Sequence, residues 1–286
     1  MVRGVIPRQP AKTGRHEGAR SVPRGAQSRG SSRELGRARR GPEKPGARAS
    51  KARSKGGKAT KAYNPVAPER VQEILKRLDQ TYPDVTCALT HRTPWELLVA
   101  TILSAQSTDV NVNRVTPGLF QKYPTVQDFA KLEPQQLEPD IRSTGFFRNK
   151  SKSVVGAAKK VVNEFGGEVP DDMDRLLTLP GVARKTANVV LGTWFKKGVG
   201  VVVDTHVTRI SRRLELTKNM DAPKIEQDLM QVIPPEKWIL FSHQIIWHGR
   251  KLCVARLPKC VECPLENICH AGDKTWSTVD IHKNAK

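Results

Sequence analysis

Four cysteines near the end of the chain place the strongest constraint on its fold. Cys253, Cys260, Cys263 and Cys269 are spaced C-x6-C-x2-C-x5-C. Four thiolates this close in sequence can surround one metal centre, and their unequal spacings suit an iron–sulfur cluster held by all four. A structural zinc site is the alternative, although such sites usually pair two short C-x2-C steps. We therefore expect the end of the chain to wrap around a metal centre.

The loop between the first two cysteines is basic. It carries Arg256 and Lys259, with Pro258 to stiffen it. A metal-pinned basic loop is a candidate phosphate contact. The fifth cysteine, Cys87, stands alone and is expected to be a small buried apolar residue. Because a disulfide-stapled secreted domain would spread its cysteines differently, the pattern favours a reducing compartment.

The rest of the chain carries helical signals. Val71, Ile74, Leu75 and Leu78 fall on one face of a helix. No segment has the sustained alternation of a strand, and no apolar run is long enough to cross a bilayer. The predicted fold is therefore all-α, arranged as two helical lobes. Helices are predicted from Pro68, after a capping box at Thr93–Glu96, from about Ser151 to Gly166, over 221–233 and over 238–251.

Residues 176–191 predict a helix, a tight hairpin and a second helix. Pro180 fixes φ and Gly181 permits a positive φ, so the turn is sharp. The first N–H groups of the second helix are then free to receive a phosphate. Lys185 lies in that first turn, where the helix dipole disfavours its protonated form. A neutral amine beside a bound phosphate backbone is able to attack a sugar carbon. The alternative for this stretch is an αα-hairpin whose lysine is an ordinary solvated surface charge.

Charge is concentrated at the start of the chain. The formal net charge is +21, and residues 1–62 contain 18 Lys and Arg against 3 Asp and Glu. Such a segment cannot bury enough apolar surface to offset its chain entropy, so we expect a disordered basic tail. It would raise non-specific DNA affinity by counterion release. A solubilising tail, a mis-assigned start site and a mitochondrial transit peptide are the alternatives.

Three signatures together resemble the endonuclease III family of the helix-hairpin-helix superfamily. They are Leu179–Ala187, Val203-Asp204-Thr205-His206 and the four-cysteine tail, and the resemblance runs from about residue 68 to 275. It implies a two-lobed enzyme with a helix-hairpin-helix motif and a C-terminal [4Fe-4S] cluster loop. The implied glycosylase covers 63–286. Its lobes are a six-helix barrel of about 85–200 and a cluster-bearing lobe of about 63–84 plus 201–275.

The resemblance also implies an activity. The partner is double-stranded DNA that contains damaged pyrimidines or abasic sites, and the enzyme excises the oxidised base and nicks the strand. Lys185 attacks C1′ of the extruded nucleotide and forms a Schiff base, after which β-elimination cleaves the strand. Asp204 takes a proton from Lys185 or stabilises the positively charged sugar, while a helix N-cap is the alternative role for it.

The family fills the gap left by the extruded nucleotide with side chains from the other lobe. By position Gln106 resembles the residue that pairs with the orphaned base. Phe146 occupies the wedge position, where leucine is more usual, and the sequence leaves open whether Phe146 or Phe147 points outward. Ala183 replaces a second glycine of the hairpin. The expected DNA contacts are Gln106, Phe146, Leu179, Gly181, Ala183, Arg184, Arg256 and Lys259.

Other readings remain at this point. An adenine-mismatch glycosylase shares the cluster and hairpin but lacks the lysine and adds a C-terminal domain. A non-catalytic iron–sulfur or zinc DNA-binding protein, or a redox sensor, would make the pairing of Lys185 with Asp204 coincidental. The expected state is a monomer without a membrane partner. The expected location is the bacterial cytoplasm, with an organelle or the nucleus as the alternative.

Overall fold

The structure, a computed structural model, describes residues 63–275, which are built from α-helices and short 3-10 turns. No strand occurs within this range, which confirms the all-α prediction. The predictions for residues 1–62 lie outside the described residues. The helices are Pro68–Thr81 (α1), Pro94–Leu103 (α2), Asp109–Lys122 (α3), Val126–Ala130 (α4), Pro134–Ile141 (α5), Phe147–Glu164 (α6), Met173–Leu177 (α7), Arg184–Thr193 (α8), Thr205–Arg213 (α9), Ala222–Val232 (α10) and Trp238–Lys251 (α11).

Helix α2 is the most deeply buried element. Every residue from Trp95 to Leu103 is buried, in agreement with its unbroken apolar sequence. Thr93 caps the helix by accepting a hydrogen bond from the backbone N–H of Glu96 at 3.1 Å. The Glu96 carboxylate accepts from the N–H of Arg92, one residue before the position that a capping box requires. None of the helices in the described part of the chain is long and apolar enough to cross a membrane.

Helix α6 begins four residues earlier than its sequence predicted. It starts at Phe147, directly after two residues with positive φ, Gly145 (72°) and Phe146 (48°). These two residues complete the change of chain direction, so the helical backbone resumes at once. Phe147 packs against the core and Lys150 is buried. Because tertiary contacts bury part of the first turn, the helix begins at Phe147 and not at the predicted position near Ser151.

Two hydrophobic clusters form the core. The first draws its buried residues from 89–191, and α2 packs there against α6 and α8. The second combines residues 71–82 with residues 201–265. Helix α1 joins it by packing against α11, although the two helices lie far apart in sequence. The two clusters confirm the two-lobed helical architecture.

Candidate active site

Helices α7 and α8 form the hairpin that the sequence predicted. Gly181 in the turn has a φ of 77°, a left-handed value that glycine adopts without strain. An added Cβ there would lie 2.5 Å from Cβ of Ser153 on α6, so the hairpin sits too close to α6 for any side chain. Leu179 is 3% exposed, and its side chain anchors the turn in the core. Gly181 and Ala183 face solvent.

Helix α8 begins without a side-chain cap. Ala183 occupies the N-cap position and makes no capping hydrogen bond through its side chain. The guanidinium of Arg184 donates from Nε to Oε2 of Glu226 at 2.7 Å, a bond that raises the pKa of Arg184. Lys185, the next residue, is exposed. The start of α8 therefore presents backbone and one primary amine, while the neighbouring arginine is held by a carboxylate.

Lys185 lines a cavity of about 710 Å³. Asp204 at the start of α9 and Gln106 after α2 line the same cavity. Since α8 belongs to the first hydrophobic cluster and α9 to the second, the cavity lies where the two lobes meet. The other predicted DNA contacts lie outside its lining: Phe146, Leu179, Gly181, Ala183, Arg184, Arg256 and Lys259.

Asp204 is the N-cap of α9. Its Oδ1 accepts a hydrogen bond from the backbone N–H of Val207 at 2.8 Å. This bond holds the carboxyl group in place at the cavity wall, because a cap satisfies a helix N–H that has no partner within the helix. The structural role and a role in the cavity are therefore compatible.

Gln106 and Phe146 both have left-handed backbones, with φ values of 52° and 48°. Residues other than glycine rarely adopt this conformation, and such strain concentrates at functional sites. Gln106 is exposed, and Phe146 is 61% exposed. Phe147 instead packs against the first hydrophobic cluster. The structure thus selects Phe146 as the outward-pointing ring, a choice that the sequence left open.

The cavity contains residues that the sequence analysis did not single out. His243, Trp247 and Arg250 line it from α11, and their i, i+4, i+7 spacing was the available sign that they share a face. Burial, with a smaller contribution from Lys196, lowers the pKa of His243 to about 4, so this imidazole is neutral near pH 7. Arg250 forms an ion pair with Asp109 of α3, which joins the two lobes at the cavity wall.

Cys87 also differs from expectation. Predicted to be a small buried residue, it is only partly buried and lines this cavity. Burial still raises the pKa of its thiol. Its position depends on the segment that joins α1 to α2, which has no periodic pattern from which to predict a facing direction.

The four clustered cysteines line a second, much smaller cavity of about 30 Å³. All four are free thiols and partly buried. Arg213 donates from Nη1 to Sγ of Cys253 at 3.2 Å. Across residues 63–275, no group of three or more His, Cys, Asp or Glu side chains is arranged around a single metal ion. The four thiols therefore lie around one shared cavity.

The loop between the first two cysteines projects outward. Arg256 and Lys259 are exposed, and Pro258 is buried beneath them. Leu257 is 79% exposed and has a φ of 53°. The N–H of Lys259 donates to the carbonyl of Leu252 at 2.9 Å and closes the loop. Two basic side chains and one apolar side chain are thereby presented together.

Comparisons with known proteins agree with this geometry. The family profile described as HhH-GPD superfamily base excision DNA repair protein matches residues 99–235. Endonuclease III of Synechocystis is 57% identical over 201 residues, which are 70% of this chain and 92% of that protein. Endonuclease III of Bacillus subtilis is 43% identical over 208 residues, 72% of this chain and 94% of the relative. A trapped endonuclease III–DNA covalent intermediate, an estranged-adenine complex, has a TM-score of 0.68 at 41% identity and covers 71% of this chain and 96% of that one.

The family profile and the endonuclease III relatives together show a base excision DNA repair protein of the HhH-GPD superfamily. Within that superfamily, the chain belongs to the endonuclease III family. It is accordingly an enzyme, a bifunctional DNA glycosylase and AP lyase. This membership favours the glycosylase over a non-catalytic DNA-binding protein and over an adenine-mismatch glycosylase.

Proposed function

We propose that the chain excises oxidised pyrimidines from duplex DNA and cleaves the strand at the abasic site, with Lys185 as the nucleophile. The observation that carries the proposal is the placement of Lys185 and Asp204 on one cavity where the lobes meet. A structurally similar endonuclease III has been trapped as a covalent intermediate with DNA, which supports an attacking side chain on the protein.

Base removal takes place on an extruded nucleotide, because a base inside the stack is out of reach. The cavity volume of about 710 Å³ lies in the usual range for a small-molecule pocket. The lone pair of Lys185 Nζ forms a bond to C1′ of the deoxyribose. The glycosidic bond between C1′ and the base nitrogen breaks, and its electron pair leaves with the base, which takes up a proton. Asp204 accepts a proton from the amine or offsets the positive charge that builds on the sugar.

Strand cleavage follows from the new C–N bond. Breaking of C1′–O4′ opens the sugar ring, O4′ takes up a proton, and Lys185 is left as a protonated Schiff base. The positive nitrogen acidifies the C2′ hydrogens. Loss of one as a proton supplies the electron pair that expels the 3′ phosphate by β-elimination. Water then hydrolyses the C=N bond and regenerates the Lys185 amine.

Gln106 and Phe146 fill the space that the extruded nucleotide leaves. Gln106 offers amide donors and an acceptor to the estranged base, and Phe146 stacks in the gap as an apolar wedge. Their exposure and left-handed backbones support this assignment. The backbone N–H groups of Gly181 and Ala183 receive a phosphate at the start of α8. The N–H of Leu179 already donates to the carbonyl of Leu176 at 3.1 Å, so Leu179 supports this contact through its buried side chain. Because Glu226 already accepts a hydrogen bond from the Arg184 guanidinium, we expect Arg184 to contribute less to DNA binding than an unpaired arginine would.

Cys253, Cys260, Cys263 and Cys269 hold the [4Fe-4S] cluster in this proposal. The bound cluster supplies a rigid tie that shapes the loop before Cys260. Arg256 and Lys259 then contact phosphates from that loop, which their exposure supports. The chain acts as a monomer, with a cavity complete within one copy. Because the relatives named above are bacterial, we place it in the bacterial cytoplasm with the nucleoid.

Borohydride trapping tests the nucleophile. The wild-type protein should form a covalent adduct with duplex DNA that contains thymine glycol or an abasic site, and Lys185→Ala should form none. Lys159→Ala is the matched control, because Lys159 is an exposed lysine paired with Glu133 away from the cavity. An adduct of undiminished yield from Lys185→Ala would assign the chemistry to another amine.

A further inference from the structure

A buried lysine outside the cavity connects two loops of the first lobe. Lys150, in the first turn of α6, is 5% exposed. Its Nζ donates to the carbonyl of Leu103 at 2.8 Å and to the carbonyl of Thr144 at 2.7 Å. Burial lowers the pKa of Lys150, yet even the neutral amine has two N–H groups, enough for both bonds. Lysine is seldom buried this far unless its amine has partners.

Both carbonyls stand at the ends of helical segments. Leu103 is the last residue of α2, and Thr144 is the last residue of the 3-10 turn Arg142–Thr144. Terminal carbonyls have no partner within their own helix and carry partial negative charge. One amine therefore donates to the terminal carbonyls of two helical segments, and these carbonyls are 41 residues apart in sequence.

Each of these two helical segments is followed, within three residues, by a residue with a strained backbone. Gln106 follows Leu103 by three positions, and Phe146 follows Thr144 by two. Both have positive φ, which the surrounding structure must maintain against their preference. A point that fixes Leu103 relative to Thr144 also fixes the starting positions of these two side chains.

A second contact joins the same two loops. Nδ2 of Asn111 donates to Oγ of Ser107 at 3.1 Å and to the carbonyl of Ser143 at 2.9 Å. Ser107 directly follows Gln106, and Ser143 belongs to the turn before Phe146. The two loops are thus connected by a buried amine and by a partly buried amide.

We infer that Lys150 is a positioning residue that, together with Asn111, holds the Gln106 and Phe146 loops at one separation, so that both side chains enter the duplex together. Extrusion of the damaged nucleotide costs free energy, because its base must be unpaired and unstacked. The side chains of Gln106 and Phe146 offset that cost best when they already hold their positions before DNA binds. The inference rests on the proposed function through the roles given to Gln106 and Phe146.

The test compares two substrates for each variant. Lys150→Met removes the donors with little change of shape, and Val161→Ala is the matched control because Val161 is fully buried near the far end of α6. Excision of base-paired thymine glycol is measured under single turnover, alongside nicking of a preformed abasic site, which needs no base to be unpaired. Unfolding temperatures show how far each variant is destabilised.

We expect Lys150→Met to slow excision at least tenfold while nicking of the abasic site changes less than threefold. In Val161→Ala both rates should change by the same factor. A fluorescent 2-aminopurine placed opposite the abasic site should report altered stacking in Lys150→Met alone. Equal loss on both substrates, or a pattern that matches Val161→Ala, would reduce Lys150 to a structural residue and overturn the inference.

Asn111→Leu provides an independent variant if Lys150→Met does not fold. This substitution removes the second contact from a partly buried site. It should slow excision of thymine glycol more than nicking of the abasic site, as Lys150→Met does. Unchanged selectivity in Asn111→Leu then overturns the inference. Wild-type protein that forms no trapped adduct would instead overturn the proposed function, and the inference with it. Wild-type trapping with an unchanged rate ratio in the variants overturns the inference alone.

Discussion

Arg184 and Glu226 join the two lobes directly beside the proposed nucleophile. Nε of Arg184 on α8 donates to Oε2 of Glu226 on α10 at 2.7 Å, and the other carboxylate oxygen accepts from Nδ2 of Asn188 at 2.8 Å. Glu226 is buried, with only 7% of its side chain exposed. One carboxylate therefore holds two positions of the helix that carries Lys185, and the orientation of α8 depends on it.

Glu226→Gln should destabilise the protein by about 1–3 kcal/mol, because it replaces a buried carboxylate by a neutral amide against the half-exposed guanidinium of Arg184. Urea unfolding measures the loss. Glu133→Gln is the control, since it breaks an ion pair with Lys159 that is exposed on both sides and should cost less than about 0.5 kcal/mol. Equal losses from the two variants would contradict a structural role for Glu226.

Gly200→Ala should disturb the same contact from the opposite side. A Cβ at Gly200 would lie 2.1 Å from Oε1 of Glu226 and 3.0 Å from Nδ2 of Asn188, so the carboxylate must move away from its donors. Because both variants act on one contact, the stability losses of Gly200→Ala and Glu226→Gln should not add in the double variant. Strict additivity in a double-mutant cycle would show that the two sites are independent.

Asp204→Asn should lower the single-turnover rate about a hundredfold or more, with little change in affinity for DNA, since it removes a negative charge needed in the transition state. The asparagine oxygen can still accept the N–H of Val207, so the cap should survive. Asp172→Asn is the control, because Asp172 caps α7 in the same way with a bond of 2.9 Å to Arg175 N. Equal loss of rate and affinity in Asp204→Asn would make Asp204 purely structural.

His243 should make stability fall on acidification. The unfolded side chain takes up a proton near pH 6.5, whereas the folded one does so only near pH 4. Above about pH 6.5 this titration does not change the unfolding free energy. As the pH falls from 6.5 toward 4, the unfolded state binds a proton that the folded state does not, so the unfolding free energy is lower by about 2 kcal/mol at pH 5. His243→Gln should show a smaller drop in unfolding free energy between pH 7.5 and pH 5 than the wild type. Parallel curves would rule out this titration.

The basic tail should add a salt-dependent part to DNA affinity. A chain that begins at Tyr63 lacks residues 1–62 with their 18 Lys and Arg, so it should bind undamaged duplex more weakly and with a shallower salt slope. Full-length protein with those residues changed to Gln should behave like the truncated chain. Identical slopes for the wild-type and truncated chains would dispose of the tail as a DNA contact.

Much of the fold was predictable because its signals are local. The periodic apolar residues of α1, the turn at Pro180-Gly181 and the spacing of the four cysteines each act within a short stretch of chain. Within such a stretch, the spacing of the residues along the chain determines how their side chains are placed relative to one another. The start of α6 was misjudged because burial of Phe147 and Lys150 depends on segments outside the local pattern.

The sequence by itself therefore determined the helical class, the hairpin, the clustered thiols and the family. Only the tertiary structure decided that Lys185, Asp204 and Gln106 share one cavity, that Phe146 rather than Phe147 faces outward, and that Glu226 holds Arg184. The physical reason is that a helix pattern specifies which face is buried but not what it packs against. Partners distant in sequence are selected when the two hydrophobic clusters close and every buried polar group must find a hydrogen bond.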